Sequence, residues 1–212
     1  MSLTDDLIRT GRAMSEKGVV SGCSGNVSIR LQPDSFLISR SGSDLGRLCR
    51  EDLVRCEVDR DEWHGDVPPS IEAGLHRSIY LSCEEAVAVA HSHPFFSTLV
   101  ACSQTDIRPD LLPETMAYVE RVERVPYHHA GSQDLAGAVA EAARASQVIL
   151  LENHGVVCWG RSLDEAVLKM ETLELLCRLT IMSRSANISL NYLGGEVMSD
   201  FLQHLKRIGK SA

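Results

Sequence analysis

No stretch of this 212-residue chain approaches the ~18 apolar residues needed to cross a bilayer, and no basic-then-apolar leader opens it. C-x-x-C pairs are missing too. The seven cysteines, at positions 23, 49, 56, 83, 102, 158 and 177, are odd in number and scattered. That excludes a disulfide framework and reads as reduced thiols in the cytoplasm. Positive charge is short: 21 Lys and Arg stand against 29 Asp and Glu, a net charge of −8. The balance argues against nucleic acid or an anionic membrane as partner, but not against a small anion met by a local cluster of donors. No lysine lies between Lys17 and Lys169, so the middle of the chain offers no amine for Schiff-base chemistry. Internal repeats, low-complexity segments and linkers are absent. With 44% hydrophobic and 24% charged residues, residues 1–212 are expected to form a single α/β domain with a sizeable core.

What is present centres on Ala86-Val87-Ala88-Val89-Ala90-His91-Ser92-His93-Pro94. The small and β-branched run predicts a buried strand over 86–90. Side chains at i and i+2 of an extended segment point the same way, so His91 and His93 leave the strand end on one face. Two imidazoles so placed are two ligands of a transition metal if a third group arrives. His154, closing the apolar run Val148-Ile149-Leu150-Leu151 and followed by Gly155, is that candidate.

The remaining elements read in order. A helix is expected from Thr4 to Gly18, capped by Thr4 or Asp5, then a hairpin turning at Asp34, with strands on Val27-Ile29-Leu31 and on 35–39. A third strand spans 54–58. Ser70 is expected to cap a helix in whose first turn Glu72 lies, with Leu75, Ile79 and Tyr80 inward. Helices are expected at 95–102, 110–119 and, capped by Ser132, to 145; extended segments at 122–127, 148–152 and 156–159. A long helix from Leu163 to Arg184, capped by Ser162, is expected to bury Ala166, Leu168, Met170, Leu173, Leu175, Leu176, Leu179 and Ile181. The glycine- and serine-rich Arg40-Ser41-Gly42-Ser43 could cradle an anion through backbone N–H groups and hydroxyls, and Arg40 could pair with a carboxylate.

Five segments then fall into one order: Ser24-Gly25-Asn26-Val27-Ser28, Ser41-Gly42, Pro69-Ser70-Ile71-Glu72 through Leu75-His76, His91-Ser92-His93, and Asn153-His154-Gly155. Over residues 4–184 this resembles the class II aldolase/adducin family. The resemblance implies a three-layer α/β/α domain with a central mixed, largely antiparallel sheet, and a homotetramer with sites at subunit interfaces. It implies that His91, His93 and His154 bind one divalent metal, zinc foremost, with manganese, cobalt or iron(II) as alternatives. Glu72 falls on the acid/base carboxylate, and Asn26, Ser41, Gly42 and Ser70 on the groups that hold a substrate phosphate. Two departures stand out: Ile71 replaces a polar residue, and leucines occupy 111–112 where a catalytic tyrosine is found in fuculose-phosphate aldolases. Tyr118 and Tyr192 are alternative proton donors.

The implied chemistry is cleavage of a carbon–carbon bond in a sugar phosphate or related hydroxy-carbonyl compound. It leaves an enediolate, whose charge a metal stabilises while a carboxylate moves a proton. That carboxylate would need a pKa raised from about 4.3 by burial. Decarboxylation or dehydration on the same site is the alternative. A non-enzymatic, adducin-like binding domain is the reading from another class, set against the presence of all three histidines and Glu72.

Overall fold

The computed structural model describes residues 2–209; Met1 and residues 210–212, the ends of the expected 1–212 domain, lie outside them. Among the described residues eight strands form one sheet: β1 (Gly25–Gln32), β2 (Ser35–Ser39), β3 (Leu53–Glu57), β4 (Trp63–His64), β5 (Ala88–Ser92), β6 (Glu123–Val125), β7 (Val148–Leu151) and β8 (Gly155–Gly160). Their order is β4-β3-β2-β1-β5-β8-β7-β6. Only β6 and β7 run parallel; the other neighbours are antiparallel. The expected mixed, largely antiparallel sheet is thus observed.

Helices cover both faces. On one, α1 (Leu3–Glu16), α3 (Phe95–Ala101) and α6 (Leu163–Ser185) bury Leu7, Met14, Val100, Met170, Leu173 and Leu176 against Val27, Ile29, Ala88 and Ala90. On the other, α2 (Ala73–Ser82) and α5 (Gln133–Ala145) pack Leu75, Ile79, Leu135 and Val139 on Phe36, Ile38, Val89 and Val157. Along β1 and β5 neighbouring residues therefore belong to opposite cores, as the two-residue period of a strand requires. α4 (Pro113–Tyr118) and α7 (Gly195–Arg207) complete the set.

Several expectations shift. β5 starts two residues later than the apolar run and takes in His91 and Ser92, because both pair with β1. Ser2, not Thr4 or Asp5, caps α1: its hydroxyl accepts from the Asp5 N–H while the Asp5 carboxylate accepts in return. The 110–119 helix is shorter, because Asp110 turns to accept from Arg108 and from the Gly194 N–H, anchoring the C-terminal segment. Leu168 and Leu175 on α6 are exposed, not buried. Leucines lie all round that helix, so spacing alone does not choose its inner side. α7, whose side chains are nowhere fully buried, was not foreseen.

Leu173 is wholly buried, so Leu173→Ala should cost about 2–5 kcal/mol in urea unfolding. Leu175→Ala should cost much less, and equal costs would mean that the two faces of α6 had been misassigned.

Candidate functional site

The three histidines meet where the central strands end. His91 is buried on β5, flanked by Asn26 of β1 and Val157 of β8. Ser92 points to the opposite core, its hydroxyl donating to the Val19 carbonyl at 2.7 Å, so His91 and His93 share a face as expected. His154 arrives from the β7–β8 turn, in which Asn153 takes a left-handed φ of 55° and the His154 N–H returns to the Leu151 carbonyl. Asparagine tolerates that conformation better than most residues. The ring centroids stand 4.8–5.2 Å apart, and one ring nitrogen from each histidine lies within 4.8 Å of the others.

Glu72 stands directly before α2, where an N-cap would, but its carboxylate caps nothing. It turns into the site, with Oε2 3.1 Å from His91 Nε2 and Oε1 3.2 Å from His154 Nε2. Ser70, expected at the cap, lies two residues earlier and accepts from the Glu72 N–H at 3.3 Å and from Asn26 Nδ2 at 3.0 Å. Asn26 Nδ2 also donates to Glu72 Oε2 at 2.9 Å.

His91 Nδ1 donates to the Val156 carbonyl at 2.9 Å, which turns a neutral ring's Nε2 lone pair toward Glu72. Two lone pairs at 3.1 Å repel unless a proton or a cation lies beside them. His91 Nε2, His93 Nε2 and Glu72 Oε1 are all buried without a hydrogen-bond partner. Burial, with His91 and His154 nearby, pulls His93 down to about 4 and keeps its imidazole neutral. Three imidazoles gathered beside a carboxylate could hold a divalent ion, and an ion would satisfy the orphaned atoms.

One expectation is overturned here. Burial alone would raise the Glu72 carboxyl, but contacts with His154 and His91, the charge of His91 and the Asn26 hydrogen bond outweigh it and hold the group well below the usual range.

The other expected residues are less central. Arg40 bridges Pro69 across an isolated antiparallel contact, and Ser70 N–H donates to Ser39 O, which brings the exposed Ser41-Gly42 turn beside Ser70. Gly42 has φ 75°. Arg40 Nε is engaged by Asp52 at 2.7 Å. Tyr118 lines a cleft with Arg121, Trp159 and Lys169 that contains none of the three histidines. The Tyr192 ring lies 4.2 Å from the Arg108 guanidinium. Lys169 is ion-paired with Glu165 at 2.6 Å.

Gly155 is more than a turn residue, which no local signal in the sequence reveals. A Cβ there would lie 2.4 Å from His93 Cδ2 and 2.6 Å from the Ser92 carbonyl, so only glycine lets the His93 ring settle. His76, equally unmarked in sequence, is buried against Asn26 and Ser28.

The geometry describes an α/β/α protein with a three-imidazole, one-carboxylate centre at the ends of its central strands. Residues 5–181 match the family model for the class II aldolase and adducin N-terminal domain, and the chain belongs to that family. It is 34% identical over 176 residues to an L-fuculose phosphate aldolase of Methanocaldococcus jannaschii, covering 83% of this chain and 94% of that protein. It is also 34% identical over 183 residues to a 3-oxo-tetronate 4-phosphate decarboxylase of Escherichia coli K12, covering 84% and 85%. The crystal structure of YgbL from E. coli superposes with a TM-score of 0.86 at 29% identity, over 94% of this chain and 97% of that one. The curated relatives are enzymes of the class II aldolase superfamily.

Gly155→Ala should push aside both the His93 ring and the Ser92 carbonyl, weakening zinc binding by roughly 10–100-fold in a chelator competition and lowering stability as the strand backbone shifts. Undiminished affinity would separate His93 from the site. A second expectation concerns acid. Burial holds His76 neutral, its pKa pulled down from 6.5 to about 3. Below pH 6.5 the unfolded chain therefore takes up a proton that the fold refuses. Stability should fall by up to about 1.4 kcal/mol per pH unit between pH 6 and 4 on this account. Denaturant titrations of His76→Gln should show a shallower slope by that amount.

Proposed function

We propose that this protein is a divalent-metal-dependent lyase that breaks a carbon–carbon bond next to a carbonyl in a small phosphorylated sugar or sugar acid. The observation that carries the reading is the meeting of buried His91 with half-buried His93 and His154 beside Glu72, with His91 Nε2 and His93 Nε2 left without partners. The three imidazoles are assigned as the metal ligands, zinc foremost, with manganese, cobalt or iron(II) as alternatives. A divalent ion held there supplies Lewis-acid stabilisation of negative charge developing on substrate oxygens.

The chain's own residues supply the rest. Glu72 carries the proton to or from carbon, using Oε1, the oxygen that Asn26 leaves free. When the ring nitrogens are engaged as ligands they no longer donate toward Glu72, so burial regains weight in setting its proton affinity. Asn26 spends its amide hydrogens on Glu72 Oε2 and Ser70 Oγ, and so positions Ser70, whose oxygen accepts twice and whose hydroxyl hydrogen is the donor offered to substrate. Ser41 and the backbone of Gly42, beside Ser70, offer further donors to a phosphate. The single domain is proposed to work as a cytoplasmic homotetramer with sites at subunit interfaces. The exposed Leu168, Leu175 and Met182, spaced seven apart along α6, and the exposed Phe95 support that assembly.

Two bond cleavages fit the site. Retro-aldol cleavage of a ketose 1-phosphate draws support from the fuculose-phosphate aldolase relatives. Decarboxylation of a 3-oxo acid phosphate draws equal support from the decarboxylases at the same identity. Ile71, exposed and apolar beside Ser70, favours a phosphate grip different from that of the polar-residue aldolases, which keeps the second reaction in view. Both leave the negative charge at carbon that a metal and a carboxylate are suited to manage.

The zinc-loaded protein, assayed with L-fuculose 1-phosphate for triose phosphate and with 3-oxo-tetronate 4-phosphate for carbon dioxide, should turn over one of them and stop on chelation. Glu72→Gln should keep its zinc and lose roughly 10²–10⁴-fold in kcat. Chelator-insensitive turnover, or an unchanged kcat in Glu72→Gln, would overturn the reading.

A further inference from the structure

Behind Glu72 runs a buried polar chain of which the lyase reading uses only the Asn26 end. Asn26 Nδ2 reaches Glu72 Oε2 at 2.9 Å, and Asn26 Oδ1 makes a short contact with His76 Nε2. His76 Nδ1 is 2.6 Å from Ser28 Oγ, which is 2.7 Å from the Tyr80 hydroxyl. All five residues are buried. Two elements contribute: Asn26 and Ser28 stand two apart on β1, and His76 and Tyr80 four apart on α2, each pair on one face of its element.

The direction of every hydrogen in this chain follows from its carboxylate end. An ionised carboxylate only accepts, so Asn26 must turn its NH2 to Glu72 and its oxygen to His76. An amide oxygen also only accepts, so His76 must carry its hydrogen on Nε2. The neutral ring then presents Nδ1 as an acceptor, which the Ser28 hydroxyl fills, and the Tyr80 hydroxyl donates in turn to Ser28. Each hydrogen points toward Glu72. Burial, which keeps His76 uncharged, preserves this tautomer.

We propose that His76, oriented by Ser28 and Tyr80, is a positioning residue that locks the Asn26 amide so that Glu72 Oε2 is held and Oε1 is left as the proton-exchanging oxygen. The proposal rests on the reading of Glu72 as the proton carrier. An imidazole with the opposite tautomer would let the Asn26 amide flip, setting its oxygen against Oε2. The carboxylate would then swing away from the line between His91 and His154. The metal ligands themselves take no part in the chain, so its loss should spare metal binding.

The test uses the full-length, zinc-loaded protein. Long-range proton–nitrogen correlation at pH 7 should show His76 neutral with hydrogen on Nε2; hydrogen on Nδ1 would overturn the proposal. His76→Leu keeps bulk but removes the donor, whereas His76→Gln can return an N–H to Asn26. With whichever of L-fuculose 1-phosphate or 3-oxo-tetronate 4-phosphate is turned over, His76→Leu should lose roughly 10–100-fold in kcat with KM and zinc content nearly unchanged. His76→Gln should recover most of that loss. Full kcat in His76→Leu, equal losses in both variants, or loss of zinc with kcat would each refute the positioning role. Glu72→Gln separates the two ideas: if it retains kcat the lyase reading fails, and if it alone is inactive only the positioning role of His76 fails.

Discussion

The register of β5 between β1 and β8 is the constraint on which the rest depends. It sets Asn26 opposite His91 and His91 opposite Val157, and it sends Ser92 into the other core. A one-residue slip would turn both histidines into the α1–α6 core and place Ser92 and Ala90 in the site. The register is held because Val89 and Val157 pack under α2 and α5 while Ala88, Ala90 and Val156 pack under α6. Two cores, one on each face, thereby fix the position of a few polar side chains at the strand ends.

That position is electrostatically demanding. The Glu72 carboxylate and the His91 ring are withdrawn from water, His93 and His154 partly so, and unpaired burial of such groups costs several kcal/mol. The protein offsets this with directed partners: Asn26 on one Glu72 oxygen, the Val156 carbonyl on His91 Nδ1, and the Ser28–Tyr80 pair behind His76. Of the four buried side-chain atoms left without a partner among the described residues, three face the centre, His91 Nε2, His93 Nε2 and Glu72 Oε1, and the fourth is Thr98 Oγ1 on α3. Concentrating the unsatisfied groups at one point is how a fold prepares a place for an ion and a substrate.

Much of this was legible in the chain. The i, i+2 spacing of His91 and His93 after an apolar run implied a shared face, and the second apolar run ending at His154 implied a meeting point. The alternation on β1 and the capping serines at 132 and 162 located their elements because each signal is local. Other features were not local. The exposure of Leu168 and Leu175 depends on which side of α6 meets the sheet. The need for glycine at 155 depends on a ring brought in from another strand. The depressed proton affinity of Glu72 depends on three partners from β1, β5 and the β7–β8 turn, whereas the sequence suggested only burial. His76 could be read as one more inward residue of a helix until β1 was laid against it.

X-ray absorption at the zinc edge of the zinc-loaded protein, compared with His93→Ala, is the most direct test of a three-histidine centre beside Glu72. Three imidazole nitrogens at about 2.0–2.1 Å, with light oxygen ligands completing the shell, are expected, and one imidazole should vanish in the variant. Sulfur ligation, or an imidazole count unchanged by His93→Ala, would contradict it.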